Sequence, residues 1–561
     1  MIKIKDENLG IILSGASTRE ASCQLLEGAE NGKIHEGMLV LINTANNRKI
    51  LSRIAQIRPY NAFYTKDDPW SEARRKGLEI PSNIARQFEI CDLDLLIELP
   101  KSEVKYPPKP GDHIVRIDPT QHERDIFGVT RGDAGYSWYG TLSGYQGAPI
   151  PLDVEKIPMH MAVFGTTGSG KSFDTGCLIE KFMGIRAKED SCVSFPMIII
   201  DANGDYLNYA DYFESKSSIL DIDPQLRPVG WIKRFVFPHI ALYNPKLGDK
   251  PIIGIDLDKL SSRELAETII LYYKGTLEGS ELQLSAIVSL LEHMIDEKGY
   301  ESMHQLFEDD ESYNDLKSEL AKFDTNRIAA PSKPAVIRAF EKFREIENNY
   351  QLLSAKKTSL LTDEKFIDDI TAQGGTAIID FSEDGATGVE IQAKQLVMTY
   401  LATLLFNKFS NYKIREKSRY LIFLIEEAQN FIPDKSYPVG SSLAKNKLSL
   451  IATQGRKFGL SLCIVTQRPS FIDKIVLSMC NTFYIHRISP DDVSYVRSVT
   501  GGLPESIGRR LTRLNQGELI VTGQMNRVPF PLLIKIPFKE RIVEHTQGTT
   551  EVVNTLSKLR G

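Results

Sequence analysis

Short apolar runs separated by turn residues dominate the first part of the chain and predict β-structure. From Met1 to about Asp118 these runs are punctuated by Gly and Pro, a texture typical of a small barrel or sandwich. The segment Tyr106 to Asp112 (YPPKPGD) predicts a turn at the end of this region, and Gly128 to Pro151 predicts a linker. The predicted strands are Gly10 to Leu13, Met38 to Ile42, Ile50 to Ile57, Leu93 to Leu99 and His113 to Ile117.

From Met161 the pattern changes to continuous apolar runs that alternate with helical segments. Such runs predict parallel strands covered on both faces, as in α/β domains. A helix is predicted from Lys171 to about Met183. The predicted strands are Met161 to Phe164, Phe195 to Asp201, Gly375 to Phe381, Tyr420 to Ile425, Leu460 to Thr466 and Thr482 to Ile485.

A charged segment with helical periodicity separates the first strands of this α/β region from the rest. It covers residues 256–369, and its clearest helical stretches are Ser262 to Tyr273 and Glu281 to Lys298. We interpret it as a helical insertion, either a surface for a partner or a length variant without a distinct role.

Composition restricts the class of protein. The chain has 561 residues, 42% hydrophobic and 25% charged, which is typical of a soluble protein with several domains. Its net charge of −5 argues against a generally basic surface, so any contact with nucleic acid must be local. Six scattered cysteines without a C-x-x-C pair indicate neither a zinc site nor a disulfide framework. No long apolar segment is present, so we expect a cytoplasmic protein without a signal peptide or membrane span.

A phosphate-binding loop follows the predicted strand that ends at Phe164. The pattern G-x-x-x-x-G-K-[ST] lies between that strand and a helix, as its chemistry requires. Backbone N–H groups surround the phosphates, Lys171 meets the β- and γ-phosphates, and the Ser172 hydroxyl binds Mg²⁺. The alternative is a structural glycine-rich turn. The loop residues are Gly165, Thr166, Thr167, Gly168, Ser169, Gly170, Lys171 and Ser172.

Two acids, Glu426 and Glu427, end the apolar run Leu421 to Ile425. Such a strand delivers carboxylates to the carboxyl edge of a parallel sheet, where ligands bind. One acid is expected to hold Mg²⁺ through its water shell, and the other to polarise the attacking water. Alone, the same pattern also fits a solvated strand end.

Polar and basic residues flank the predicted strand Leu460 to Thr466. Gln467, directly after it, is a candidate for sensing the γ-phosphate, or it makes only local hydrogen bonds. Arg456 and Lys457, just before it, offer a cation to a neighbouring subunit's γ-phosphate, or they lie on a solvated helix end.

These segments together resemble, in order, the HerA family of hexameric DNA translocases, within the HerA/FtsK superfamily of P-loop ATPases. The resemblance covers most of the chain except the insertion. It rests on GTTGSGKS at Gly165, DANGDY at Asp201, IEEAQNF at Ile425, QGRKFG at Gln454, TQRPS at Thr466 and the closing segments QGELIVTG at Gln516 and Pro529 to Pro537.

The resemblance implies a RecA-like P-loop NTPase core with a mostly parallel sheet, preceded by a small β-barrel. We place the barrel at 1–120, the core at 121–255 and 370–540, the insertion at 256–369 and a tail at 541–561. It also implies ATP and Mg²⁺ as cofactors, a homohexamer with ATP between subunits, DNA in a central pore, and a nuclease or other effector partner encoded nearby.

Carried onto matching positions, the resemblance assigns nucleotide binding to Lys171 and Ser172, with Ser172 and Glu426 on the metal side. Glu427 becomes the catalytic acid and Gln467 the sensor. Arg456 becomes a finger acting in trans, although Lys457 and Arg468 stay open for that role. The family commonly has His where this chain has Asn203 and Gln429, which leaves the roles of these two positions open.

Two basic clusters are candidates for DNA contact. The segment Pro433 to Lys447 has the composition of a mobile pore loop that touches phosphates, or of a solvated surface loop. Its lysines are Lys435, Lys445 and Lys447. Arg509, Arg510 and Arg513 lie on a predicted helix and also fit a solvated face.

Three functions compete. The first is an ATP-driven DNA translocase or helicase that acts in DNA end processing or anti-phage defence. The second is a nucleotide-gated scaffold that activates or restrains a nuclease; the sequence indicates no metal-binding cluster of its own outside the P-loop region. The third, a P-loop enzyme acting on a small molecule, needs no ring and is disfavoured by the late acids and the barrel.

Overall fold

The computed structural model divides the chain into two compact units. It describes residues 8–26, 34–65, 70–79, 87–187, 191–215, 231–323, 333–353, 364–438 and 442–538, with 541 and 543. The first unit comprises residues 1–154, 485–487 and 500–538, and the second comprises 155–484, 488–499 and 539–561. The first unit therefore extends beyond the predicted barrel domain and includes a late segment of the chain.

A closed six-stranded barrel forms the start of the first unit, as the sequence predicts. The order is β1-β2-β5-β4-β3-β6, and the neighbouring strands pair antiparallel. In β5, Cys91, Leu93, Leu95 and Ile97 are buried at alternate positions, which gives the strand one inward face. The strands are β1 (Asn8–Ile12), β2 (Glu20–Leu25), β3 (Leu39–Asn43), β4 (Lys49–Tyr60), β5 (Phe88–Leu99) and β6 (His113–Arg116).

The region predicted as a linker, Gly128 to Pro151, contains regular structure, so that prediction is wrong. Two strands within and next to it pair antiparallel, and a third pairs with a strand from the end of the chain. The remaining elements of this unit are α1 (Ser71–Arg75), α2 (Glu123–Phe127), β7 (Tyr136–Tyr139), β8 (Thr141–Leu142), β9 (Ile150–Asp153), α17 (Glu505–Arg510), β19 (Glu518–Gly523) and β20 (Leu532–Lys535).

The second basic cluster lies beside a polar cavity of about 1430 Å³ in the first unit. Arg509, Arg510 and Arg513 line it together with Asp92 and Asp94 of the barrel. Because both acids and arginines line the cavity, its walls do not form a surface of positive charge alone.

A mostly parallel sheet forms the centre of the second unit, in the order β14-β15-β13-β16-β17-β10-β18. The strand residues of β10, β13, β15, β16 and β17 are fully buried, as expected for a sheet covered on both faces. The strands are β10 (Met161–Phe164), β13 (Met197–Asp201), β14 (Ile232–Phe235), β15 (Thr376–Asp380), β16 (Leu421–Ile425), β17 (Leu460–Thr466) and β18 (Thr482–Ile485), with a separate pair β11 (Ile185–Arg186) and β12 (Cys192–Val193).

Helices surround this sheet and include the predicted α3, which begins and ends as expected. The predicted Ser262 to Tyr273 and Glu281 to Lys298 correspond to α6 and α7, so the helical nature of the insertion is confirmed for its described residues. The helices are α3 (Lys171–Met183), α4 (Leu207–Ser215), α5 (Pro238–Tyr243), α6 (Ser262–Lys274), α7 (Glu281–Asp296), α8 (Gln305–Glu308), α9 (Asp310–Lys322), α10 (Lys333–Tyr350), α11 (Glu364–Gln373), α12 (Glu383–Ala386), α13 (Ile391–Ile414), α14 (Lys445–Gln454), α15 (Lys474–Ser478) and α16 (Val493–Val499). None of the described helices has the length and apolar character needed to span a membrane.

A buried ion pair joins two neighbouring strands of the sheet. Arg234 of β14 contacts the carboxylate of Asp380, the last residue of β15, at 2.6 Å. Asp380 also accepts hydrogen bonds from the backbone N–H and the hydroxyl of Ser382. Burial raises the pKa of Asp380, and the Arg234 charge opposes that rise. The two charges therefore compensate each other. Because the pair is buried, water cannot replace either partner.

Three titratable residues of the insertion, His304, Asp256 and Asp258, lie close together. One ring nitrogen of His304 contacts the Leu353 carbonyl oxygen, and the other lies 3.1 Å from an Asp256 carboxylate oxygen. Asp258 is close enough to share a cation with them, but its oxygens accept hydrogen bonds from Ser302 and the Met303 N–H. This cluster is already satisfied by the protein, and it holds three segments of the insertion together.

His304 is expected to make stability of the insertion depend on pH. Burial lowers the pKa of His304, but the hydrogen bonds to Asp256 and the Leu353 carbonyl outweigh it, and the pKa lies above 6.5. The contact thus contributes its full stabilisation of the insertion below about pH 6.5. This contribution is lost as the pH rises through the raised pKa of His304. We expect the difference in unfolding midpoint between wild type and His304→Gln to be larger at about pH 6 than at about pH 9.

An exposed histidine, changed as His113→Gln, provides the control for this measurement. A His304→Gln difference that stays constant over the same range, or grows toward alkaline pH, would contradict the assignment.

Candidate functional site

The phosphate-binding loop connects the buried strand β10 to α3. Gly168 and Gly170 have φ values of 74° and 98°, a conformation that side chains with a Cβ disfavour and that turns successive N–H groups toward one point. The Ser169 hydroxyl is buried without a hydrogen-bond partner among the described residues. Lys171, also buried, places an ammonium group at the start of α3. This loop suits a polyphosphate, because an anion would satisfy both the orphaned hydroxyl and the buried cation.

Glu426 lies at the carboxyl end of β16 and is fully buried. One of its oxygens accepts hydrogen bonds from the N–H groups of Ala202 (3.1 Å) and Asn203 (3.2 Å), while the other lacks a partner among the described residues. Burial and the charge of Asp201 raise the pKa of Glu426 well above its usual value, and Lys171 opposes this shift. The orphaned oxygen fits a role beside Mg²⁺, because a divalent cation would compensate the buried negative charge.

Asp201, which ends β13, shapes the turn that contacts Glu426. Its carboxylate accepts hydrogen bonds from the N–H groups of Gly204, Asp205 and Tyr206, at 2.7 to 3.0 Å. Burial raises the pKa of Asp201 to about 6, although the Tyr206 hydrogen bond opposes the rise. Sequence reasoning used DANGDY only as part of a resemblance. The Asp followed closely by Gly after a strand was the available indication of such a turn.

Glu427 lies at the centre of a hydrogen-bonded chain that reaches the phosphate-binding loop. The Gln467 amide nitrogen donates to one Glu427 oxygen at 2.7 Å, and the Thr167 hydroxyl donates to the Gln467 oxygen at 2.8 Å. The Gln429 amide nitrogen donates to the second Glu427 oxygen. Glu427 has φ 46°, a left-handed conformation that is costly for a residue with a side chain. The structure therefore brings the candidate catalytic acid, the candidate sensor and the loop into direct contact.

The candidate finger, Arg456, lies at the other end of β17. It is exposed on the short turn Gly455–Phe458, next to the exposed Lys457, before β17 begins. β17 has seven residues, so it separates Arg456 from Gln467 by about 20 Å. Arg468 is instead held within the chain, 3.0 Å from Asp492 and over the Phe471 ring. Arg456 and Lys457 therefore do not reach the phosphate-binding loop of their own chain.

The three candidate pore lysines do not share one loop. Lys435 is exposed, but Lys445 begins α14, where it contacts Asp473 at 2.9 Å and the Pro433 carbonyl. Lys447, on the same helix, lies 3.4 Å from Glu264 of α6. The expectation of a continuous mobile loop through Lys447 is thus wrong for its last part, because α14 starts earlier. Residues 439–441 of this segment lie outside the described residues.

Arg541, close to the end of the chain, packs behind the phosphate-binding loop. Its guanidinium lies between the rings of Phe173 and Tyr209 and reaches the carbonyl oxygens of Ser172 and Asp205 at 3.4 Å. A Cβ on Gly176 would lie 2.6 Å from this guanidinium, so the glycine makes room for it. Sequence reasoning treated 541–561 as a tail, of which only residues 541 and 543 are described, and had no local pattern by which to find this contact.

The chain is similar to several known proteins. Residues 138–405 match the family described as the central domain of helicase HerA. The DNA double-strand break repair helicase HerA of Sulfurisphaera tokodaii is 25% identical over 548 residues, covering 94% of this chain and 92% of the relative. That of Pyrococcus furiosus is 26% identical and covers 74% and 72%. The bacterial conjugative coupling protein TrwBdeltaN70 is 15% identical, with a TM-score of 0.47 over 77% of this chain and 93% of the structure.

Proposed function

We propose that this chain, which belongs to the HerA family of P-loop ATPases, hydrolyses ATP to move DNA. The observation that carries the proposal is the contact chain from Thr167 of the phosphate-binding loop through Gln467 to Glu427. It joins a phosphate site to a carboxylate that can accept a proton. Two relatives that match over most of this chain are named as DNA double-strand break repair helicases, which supports DNA as the substrate of the motor.

The residues divide the work of hydrolysis among them. The loop N–H groups and Lys171 bind the phosphates, and Ser172 and Glu426 would hold Mg²⁺, which neutralises charge on the β- and γ-phosphates. Glu427 orients the attacking water and accepts its proton. Gln467 lies between the loop and this acid, where it can respond to the γ-phosphate.

A ring of identical subunits completes the proposal. Arg456 cannot reach the nucleotide of its own chain, so it serves as a finger only if a second copy presents its phosphate site to it. A closed homohexamer with DNA in its pore satisfies this requirement at every site. With a net charge of −5, such a protein would confine its contacts with DNA to the pore, where Lys435 is exposed.

ATP hydrolysis by the purified protein is expected to rise when DNA is added and to disappear in Lys171→Ala. The reason is that removal of this buried cation leaves the β- and γ-phosphates without their charged partner. The assay measures phosphate release with and without DNA, and Lys413→Ala, on the exposed end of α13, is the control. Hydrolysis that DNA leaves unchanged, in a protein shown to bind DNA, would argue against a DNA motor.

The partner is a separate part of the proposal. We propose a nuclease or other effector encoded nearby, in DNA end processing or anti-phage defence, and the alternative role is a nucleotide-gated scaffold for it. A scaffold should activate the effector with a nonhydrolysable ATP analogue, whereas a motor should not. The mass in solution, compared with six times 63.1 kDa, separates both from a monomeric small-molecule enzyme.

A further inference from the structure

We infer that Gln429 is a positioning residue that holds the Glu427 carboxylate aimed at the attacking water. The inference rests on the proposed ATP hydrolysis and extends it to a residue that does not touch the nucleotide. Gln429 is largely buried, and its amide lies between Glu427 and the Thr466 hydroxyl.

The orientation of the Gln429 amide follows from its neighbours. The backbone N–H of Arg468 donates to the Thr466 hydroxyl oxygen at 3.2 Å. The hydroxyl proton is then free to point to the Gln429 amide oxygen, which lies 2.8 Å away. With its oxygen engaged in this way, Gln429 can present only its NH₂ group to Glu427. The chain of donors therefore has one direction, and it ends on the carboxylate.

Glu427 consequently accepts an amide hydrogen bond at each oxygen, one from Gln429 and one from Gln467. A donor at each oxygen fixes the rotation of the carboxylate about its own axis. A general base must be held within reach of the water whose proton it accepts. The two donors thus prepare Glu427 for its proposed role.

The two amides differ in what they can do when ATP binds. Gln467 accepts a hydrogen bond from Thr167 of the phosphate-binding loop, so a γ-phosphate in that loop would compete with Glu427 for the Gln467 NH₂ group. Gln429 is tied instead to Thr466, the last residue of the fully buried strand β17. Gln429 therefore remains the fixed support of Glu427 while Gln467 turns to the nucleotide.

The test compares kcat and the KM for ATP in wild type, Gln429→Leu, Thr466→Val and Thr466→Ser. We expect Gln429→Leu to lower kcat about tenfold and to leave KM nearly unchanged. Thr466→Val, which removes the hydroxyl that orients the amide, should lower kcat by less, again with KM nearly unchanged. Thr466→Ser keeps the hydroxyl and should behave like wild type.

A kcat that stays unchanged in both Gln429→Leu and Thr466→Val would overturn the inference, as would equal losses in Thr466→Ser and Thr466→Val. Should Gln429→Leu fail to fold, the pair at Thr466 decides by itself. Glu427→Gln separates this inference from the proposed function. Hydrolysis that survives in that variant removes the assigned base, whereas lost hydrolysis with unchanged Gln429→Leu kinetics removes only the role of Gln429.

Discussion

Glu427→Gln is expected to lower the rate of ATP hydrolysis by about 10²- to 10⁴-fold while ATP still binds. An amide of the same shape cannot accept a proton from water, but it leaves the phosphate-binding loop and Lys171 in place. Phosphate release under saturating ATP measures the first effect, and binding of a fluorescent ATP analogue measures the second. The variant should hold bound ATP for long enough to be recovered with it.

Glu426→Gln should behave differently, and this difference tests the division of labour between the two acids. Because Glu426 is placed on the metal side, its variant should require more Mg²⁺ to reach half of its maximal rate. Glu416→Gln, at an exposed position after α13, controls for the loss of an acid in the same unit. Equal Mg²⁺ requirements in wild type and Glu426→Gln would contradict the assignment of Glu426.

The second large effect concerns stability. Arg234→Ala is expected to lower the free energy of unfolding of the second unit by about 3–5 kcal/mol, because it leaves the Asp380 carboxylate buried without its cation. Chemical denaturation, followed by a signal from this unit, measures the loss. Arg263→Ala, which breaks the exposed pair with Glu267 on α6, should cost less than about 1 kcal/mol.

A double variant distinguishes loss of the pair from loss of packing. Arg234→Met combined with Asp380→Leu removes both charges, so it should be more stable than Arg234→Ala. A double variant that is less stable than either single variant would show that shape at this position matters more than charge.

The central sheet was largely predictable from local pattern. The predicted strands Leu460 to Thr466 and Thr482 to Ile485, and the helix Lys171 to Met183, have the same bounds in the structure. Continuous apolar runs leave few alternatives in a chain of this composition, because only a strand covered on both faces buries every residue. The placement of acids and Gln467 at one edge followed from the parallel direction of these strands.

Elements that depend on distant partners were not predictable. β14 has the sequence IKRF, and its two basic residues conceal the apolar pattern of a buried strand. Arg234 is buried only because it pairs with Asp380. The twelve-residue β5 exceeds the predicted Leu93 to Leu99, since its first half is only partly buried. β2, with the sequence EASCQL, alternates strictly, but Leu25 is its only large apolar residue, so the pattern does not stand out.

The same limit applies to the site. The residue types at Thr167, Gln429 and Thr466 were visible, but their roles as donor or acceptor depend on three strands that meet in space. Arg541 lies far from Gly176 along the sequence, so no local pattern indicated that the two residues are in contact.

The position of β17 has a mechanical consequence. This strand is hydrogen-bonded to β16 on one side and to β10 on the other, so we expect it to move as one rigid element. Gln467 directly follows the carboxyl end of this strand, and Arg456 lies before its amino end. If Arg456 serves a second copy, a displacement of β17 produced by one γ-phosphate would be passed to the adjacent nucleotide through this strand and the short turn Gly455–Phe458 that carries Arg456. Successive subunits of such a ring would then hydrolyse ATP in order, and the rate of hydrolysis would depend cooperatively on the ATP concentration.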